Sequence, residues 1–573
     1  MNKIFFTLKA LAFSGILFTI ISCDNIMSVD SDRYMSADEN LLNSPNDTVY
    51  SVLGILNKVQ QLADKYVLMG ELRGDLLDVT DNTEKDIRSL NDFSVDKSSS
   101  QFSETRDFYA VINNCNYFIN RADTNISVRG VKSFVREYNA VKTIRAWTYL
   151  QLGLNYGQAT YFHNPILTVN DLKKEYQLFQ LPQLIDTLIA EVKSIYPLVN
   201  TELPGYGSIN GANSDYLFVS ARFLLGDLYL WKASMTKNIT DYENAALYYS
   251  ELIDDDNYFL TGNRAIWSDN TFKSLSDGWS SIFSNITASR ELISIFKLTN
   301  STYSGTKSQL NILSRDEKLI ASDNYKKLAE EQVYCFRETS GTLKFTLGDL
   351  RYNASVMSDH IVDSISNSTD KKIGAIVKYK NNNIIVYRKS LLYLRYAEAV
   401  NRAGKPSLAF AVLKYGLNDD NLKNSERVAP GELADGKSYH KIFEKEKFIA
   451  NVGVHAHGTG NADFNPAYII PDFTRYETLK DIQGNDSIVP TADIAKLVAA
   501  RHDSIMYVES AICDEAALET AMEGNRFQDL MRISNHRDDP SFLAGKVADK
   551  HKENRQYYYD LLQNKNNWFI PIK

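Results

Sequence analysis

Glu523, Arg526 and Asp529 fall at intervals of three, so a helix through them sets two carboxylates and a guanidinium on one side. Such a group could do acid–base work, but it is also the pattern of structural charges paired with one another, and that reading is adopted. Arg395 and Glu398 repeat the pattern in another helical stretch, where they pair with neighbouring helices. A glycoside hydrolase needs two carboxylates roughly 5–10 Å apart across a cleft. With 71 acidic residues the chain leaves that alternative open, although no motif marks such a pair. His455 and His457 alternate onto one face of an extended segment, which permits two metal ligands. A third ligand is not evident, and histidines flanked by glycine read as polar loop residues. There is no G-x-S-x-G, H-E-x-x-H or phosphate-binding glycine loop. The residues themselves therefore mark no catalytic site, no cofactor and no metal.

Aromatic residues offer the more relevant chemistry. A flat ring buries the apolar C–H face of a sugar while Asn, Asp and Arg groups bond its hydroxyls. Trp147 and Trp231 sit in helical patterns and Trp568 in the closing segment, so these read as packing residues. Trp279, with Trp267 as second choice, lies in the Ser-, Thr- and Asn-rich stretch Asn257 to Thr306, where no helical face explains it. Both are expected in a ligand platform; the competing reading is that they pin a long loop to the body.

Cys23 carries a different chemistry. Lys3 and Lys9 precede the apolar run Leu11 to Ile21, too short to span a bilayer as a mature helix and built like a secretory signal. The run ends in Ile20-Ile21-Ser22-Cys23, which is similar to the bacterial lipobox, so cleavage before Cys23 and lipidation there are expected. Each buried methylene contributes about 0.8 kcal/mol, and several acyl chains hold a protein firmly. Loss of residues 1–22 removes two lysines and takes the net charge from −8 to −10. That acidity argues against nucleic acid and against a bare anionic membrane face. Cys115, Cys335 and Cys513 are far apart, with no C-x-x-C spacing; Cys115 falls on the apolar line of a helix and reads as a small buried residue.

The elements that position these residues are mainly helical. Residues 23–48 read as a polar tether and 49–573 as one body. Helical patterns cover Val49 to Leu68, Gln101 to Ala122, Val131 to Tyr156, Leu181 to Tyr196 and Asp215 to Ala233, with a further start at the capping-box spacing Thr240 to Glu243. Tyr387 to Ala403 stops at Gly404, and Pro406 restarts a helix, the punctuation of a tight hairpin. Helical pairs over about 101–256 and 384–418, with a C-terminal helix at 503–532, look like degenerate tetratricopeptide units. Irregular insertions at about 257–383 and 418–500, including the alternating run Lys372 to Tyr379, are expected to form a partly β ligand face.

Four segments resemble the SusD/RagB family of outer-membrane nutrient-binding lipoproteins. They are the lipobox at Cys23; the aromatic-rich helix of Glu137 to Tyr161; Leu392 to Gly404, similar to an "LRYAEAxNRxG" signature; and Glu515 to Arg532, similar to "E…E…EGxRxxDLxR". The close, Trp568 to Ile572, is like the family's late "x-x-P-I-P" segment, and Ala516 and Ile533 depart from the pattern. The resemblance spans nearly the whole chain. It implies a tetratricopeptide-like scaffold with a loop-rich, partly β ligand face, and no catalysis. It also implies capture of an oligosaccharide, or in some branches a peptide, for a partner SusC-type TonB-dependent transporter. The location implied is the outer membrane, facing the cell surface and held by the N-terminal lipid. The polar loop Asp78 to Arg88, with Asp81 and Asn82, is placed at the ligand by the resemblance alone.

Overall fold

The computed structural model describes residues 45–573, apart from 129–130, 133, 200–202, 261, 268–274, 285, 287–288, 299–306, 338–339, 357–373, 381–382, 467, 472–477, 481–485 and 489–493. Cys23, the apolar leader and most of the expected tether lie outside these residues. The chain enters through helices α1 (Pro45–Gln60) and α2 (Ala63–Glu71) and strand β1 (Leu77–Val79). Helices α3 (Arg106–Arg121), α4 (Val135–Tyr156), α5 (Leu181–Val199), α6 (Ala221–Thr236) and α7 (Ile239–Ile253) follow. A strand-rich passage then holds β2 (Ala265–Trp267), β3 (Leu275–Asp277), β4 (Leu292–Lys297), β5 (Leu319–Ala321), β6 (Val333–Arg337), β7 (Leu343–Leu347) and β8 (Asn383–Arg388). Helices α8 (Lys389–Arg402), α9 (Pro406–Lys414), α10 (Ile494–Thr520), α11 (Arg526–Arg537) and α12 (Pro540–Lys550) complete the scaffold.

Each long helix from α3 to α7 lies against the next, α7 lies against α8, and α8 contacts both α9 and α10. This is a mainly α stack of helical pairs. Helix α4 is its axis, because every residue from Thr143 to Tyr156 is buried. A helix covered all round needs no amphipathic stripe, and its sequence shows none. It stops at Gly157, whose left-handed backbone returns an N–H to the Gly153 carbonyl. Helices α6 and α7 approach closely at Gly226, where a Cβ would fall 2.3 Å from the Tyr249 ring. The α8–α9 hairpin turns at Gly404 (φ +87°) with Pro406 as the first residue of α9, as its punctuation predicts.

Strands β4 and β8 pair antiparallel and join two cores. Ile293, Phe296, Ile384 and Val386 belong to the large helical core. Leu292, Ile295 and Ile385 belong to a second, smaller core with Ala265, Leu275, Trp279, Phe283, Tyr334 and Leu350. The ribbon is buried on both faces, one toward each core, which accounts for its near-continuous apolar run. A polar brace closes the other side of the scaffold. The guanidinium of Arg73 donates to the Trp568 carbonyl at 2.8 Å and to Asn155 Oδ1 at 2.5 Å, and the Ile570 N–H donates to the Asn155 carbonyl at 2.9 Å.

Several local expectations are corrected. The helix from Val49 to Leu68 is two helices, and the first starts at Pro45, inside the stretch read as tether. The cap of α7 is Asn238, whose side chain accepts the Thr240 N–H, not Thr240 itself. The described part of Lys372 to Tyr379 forms one bridge at Ile376 and a short turn, Val377–Tyr379, in place of a strand. The C-terminal helix over 503–532 begins at Ile494 and breaks between Thr520 and Arg526, where Gly524 takes φ +92°. Among the described residues no helix is long and apolar enough to cross a membrane.

Candidate functional site

The strand-and-loop face is fastened to the scaffold by a row of buried carboxylates. Glu515 and Glu519 stand four residues apart on α10, and Glu523 follows four residues later just beyond its end, so the three continue one side. Their partners come from the strand-and-loop side and from β8. Arg351 donates to Glu515 Oε1 at 2.6 Å and Glu519 Oε2 at 2.7 Å, while Asp349 takes its other edge at 2.6 and 3.0 Å. Arg388 reaches Glu519 Oε1 at 2.7 Å, Glu291 Oε1 at 2.9 Å and both oxygens of Glu523. Lys378 donates to Glu523 Oε1 at 2.6 Å and to the Ala521 carbonyl at 2.8 Å, so it also covers a carbonyl at the end of α10. His455 Nδ1 lies 2.7 Å from Glu515 Oε2, and His457 Nδ1 lies 3.2 Å from both Glu519 oxygens.

Burial alone would push these carboxyls up, since it penalises the charged form. At Glu519 the opposing charges of His457, Arg388 and Arg351 win and hold it well below the usual carboxylate range. At Glu515 Arg351 and His455 do the same. A carboxyl held ionised between guanidinium groups and closed from water is a structural anion, not a proton donor.

The other motif charges are equally structural, but they do not pair as the spacing implies. Glu523 binds Arg388 and Lys378; Arg526 grips Asp75 at 2.5 and 2.9 Å; Asp529 takes Arg395 at 2.6 Å and Arg532 at 3.0 Å. Only the expectation that they are structural stands; mutual pairing does not. Glu398 meets the expectation for it, holding Arg532 through two bonds at 2.6 and 2.7 Å and His536 at 2.8 Å. His455 and His457 are buried with their rings against Glu515 and Glu519, not polar loop residues. Among the described residues no group of three or more His, Cys, Asp or Glu side chains could hold a metal.

Trp279 is displaced from the expected platform. It is 0% exposed at the heart of the second core, its ring edge-on to Phe283 at 5.0 Å with the Lys378 ammonium 4.9 Å above it. Its N–H donates to Glu519 Oε1, so it belongs to the fastening of the face and cannot stack on a ligand. Trp267 is half-buried against the same core, and its backbone N–H donates to the Tyr334 hydroxyl at 3.2 Å. Asp81 and Asn82 form an exposed turn held by Thr80 and Thr83, whose hydroxyls bond the carbonyls of Glu317 and Lys318, both at 2.6 Å. The cleft of about 310 Å³ beside this loop is lined by Asp78, Asp323 and Lys550 and by neither Asp81 nor Asn82.

An exposed aromatic surface lies on and beside the β6–β7 hairpin. Cys335 pairs with Phe345, Arg337 with Leu343 and Val333 with Leu347, so these six side chains share one face. Cys335 is buried, and the chain at Gly460 to Asn461 runs beside it, with the Asn461 N–H donating to its carbonyl at 2.7 Å. Gly460 is required there, because a Cβ would fall 2.3 Å from the Cys335 oxygen. Phe345 is 48% exposed, Leu347 72% and Phe464 49%, and the Arg337 guanidinium lies 4.9 Å over the Phe464 ring. Asp463 is exposed next to it. Flat apolar rings bordered by a guanidinium and a carboxylate make an amphipathic surface of the kind a sugar covers. Sequence reasoning missed these residues. The signal was the alternation in Val333 to Leu347 around Gly341, a hairpin pattern.

No protein-family profile matches the chain, and no curated protein sequence matches it. Solved structures do. A SusD homolog from Bacteroides thetaiotaomicron superimposes with TM-score 0.54 at 14% identity, covering 92% of each chain. A SusD superfamily protein from Bacteroides vulgatus gives TM-score 0.54 at 14% identity, over 92% of this chain and 95% of that one. NanU of B. fragilis gives TM-score 0.53 at 14% identity, over 90% and 93%. The stacked helical pairs with their strand-and-loop face form a SusD-like fold.

Proposed function

We propose that this protein captures an oligosaccharide on the Phe345–Phe464 face and delivers it to a SusC-type TonB-dependent transporter in the outer membrane. The observation that carries the reading is the pair of exposed rings, Phe345 and Phe464, beside Arg337. Sugar C–H faces stack on such rings, and the guanidinium bonds hydroxyls. The SusD-like fold and the motif segments support membership of the SusD/RagB family, and the protein is then a non-enzymatic nutrient-binding component. Ile20-Ile21-Ser22-Cys23 supports lipid anchoring, and the acidic stretch that follows is compatible with export to the cell surface.

A glycan array and a peptide array, probed with the full protein, test the ligand class. Stacking on aromatic rings is worth about 1–3 kcal/mol, so Phe345→Ala should weaken glycan binding by about 5- to 150-fold. Binding of peptides alone, or glycan binding indifferent to Phe345 and Phe464, overturns the reading. Release of shortened products from a bound glycan would favour a glycoside hydrolase. Co-purification with an outer-membrane transporter tests the partner. Cys23→Ala should abolish incorporation of labelled palmitate, and continued labelling sinks the anchor.

A further inference from the structure

A second concavity opens on the helical side of the molecule. Its volume is about 640 Å³, within the range of small-ligand pockets (roughly 300–1,000 Å³). It lies where the first residues of α6, the last turn of α7 and the start of α4 come together, and Tyr216 and Tyr258 line it with Asn213 and Asn257. Tyr258 is almost wholly buried and Tyr216 half-buried, with its hydroxyl 3.4 Å from the Ser289 carbonyl, so both rings are held in place. Asn257 is exposed at the rim.

Glu251 is the feature that needs an explanation. It lines this cleft from the last turn of α7, and its Oε2 is buried without a hydrogen-bond partner among the described residues. Burial raises its pKa, and among the described residues no charge or hydrogen bond offsets that. The acids beside it are engaged elsewhere: Asp255 holds Arg222 at 3.0 Å, and Asp254 holds Lys447 at 2.8 Å. Glu251 is half-buried, and a buried carboxylate oxygen without a partner costs stability that a ligand in the cleft would restore. A helix C-terminus is a poor place for it, since its own field disfavours the anion.

We infer that this cleft is a second binding site, one that takes a neutral sugar ring between Tyr216 and Tyr258 with a ring hydroxyl donating to Glu251. A hydroxyl can donate or accept a hydrogen bond, so it suits the carboxyl in either state. Asp215, Glu251, Asp254 and Asp255 outnumber Arg136 and Arg222 along the walls, which disfavours uronic acids, sialic acids and sulfated sugars. The inference does not rest on the Phe345–Phe464 face, which stands on other elements, so either site can fail alone.

Calorimetric titration of the full protein with maltohexaose, cellohexaose and mannohexaose tests it, with tri-galacturonate and spermidine as anionic and cationic controls. A binding event with at least one neutral hexasaccharide is expected, retained in a Phe345→Ala, Phe464→Ala double variant. Glu251→Leu should weaken that event by about tenfold or more, through loss of a hydrogen bond to a charged group. The same variant should melt no lower than the unchanged protein, because a leucine needs no partner. Asn257→Ala, at the exposed rim, should also weaken it without touching the core. No event sensitive to Glu251 and Asn257, binding of spermidine in place of the sugars, or a lowered melting temperature of Glu251→Leu with unchanged binding would each overturn the proposal.

Discussion

The indole N–H of Trp279 points at Oε1 of Glu519 from 3.3 Å, and the same oxygen accepts from Arg388 at 2.7 Å. An aromatic residue of the variable passage thus shares one acceptor with the strand that joins the two cores. The pairing makes Trp279 a fastener of the strand-and-loop face, and it separates stability from binding in a measurable way.

Trp279→Ala should lower stability by about 3–5 kcal/mol, the usual cost of emptying a fully buried tryptophan site. Denaturant titration followed by a glycan titration on the same sample checks this. A variant of normal stability that has lost affinity would return Trp279 to the ligand site.

Glu519→Gln keeps the shape and removes a charge on which Arg351, Arg388 and His457 converge. Breaking a buried ion pair from one side costs about 3–5 kcal/mol, so the variant should unfold at markedly lower denaturant. Far-ultraviolet circular dichroism at several urea concentrations reads the shift. No change would mean that the row is not what fastens the face.

His551 stacks on Tyr558 at 3.7 Å, and burial with the adjacent Lys550 charge pushes its pKa from 6.5 down to about 3. The folded imidazole therefore resists a proton that the unfolded chain accepts. Its contribution is fully present above pH 6.5 and is lost as the pH falls toward 3. His551→Phe keeps the stack and cannot titrate, so melting temperature should fall less steeply across that interval. Parallel curves for the two proteins would refute the assignment.

Two glycine substitutions should act in opposite directions. A Cβ on Gly70 would sit 1.9 Å from the Gly524 carbonyl oxygen, backbone against backbone, so Gly70→Ala should lose the folded state or separate α2 from the α10–α11 junction. Gly545, inside α12, has nothing within 4 Å of the same atom, and Gly545→Ala should stabilise by about 0.5–1 kcal/mol. Thermal melts of both variants decide.

What could be read from the sequence divides by distance along the chain. Gly404 and Pro406 announce their hairpin because a left-handed turn and a helix start are local events. The lines of Phe108, Val111, Ile112 and Cys115 likewise show a buried face, and all four are buried. Glu523, Arg526 and Asp529 mislead for the opposite reason. Neighbours in sequence, they take partners at Arg388, Asp75 and Arg395, which only the folded scaffold brings near. Trp279 looked coreless because its local segment is polar. Yet that stretch itself supplies Ala265, Leu275, Ile282, Phe283 and Ile295 to the core Trp279 joins, and Ala212, Tyr334, Leu350 and Ile385 complete it from remote segments. Phe345 was hidden by its ordinariness, since an alternating hairpin does not say which face stays open.

The brace at Arg73 has a consequence for timing. Its guanidinium is completed by the Trp568 carbonyl, 495 positions further along the chain. During synthesis residue 73 emerges long before residue 568, and until then the guanidinium must keep its water. The first helices cannot dry that surface early, so the final closure of the scaffold waits for the last few residues. Long-range closure of this kind slows folding. A polypeptide released short of Trp568 would leave one edge of that guanidinium without its carbonyl, so the scaffold would stay open there and recognisable to a protease.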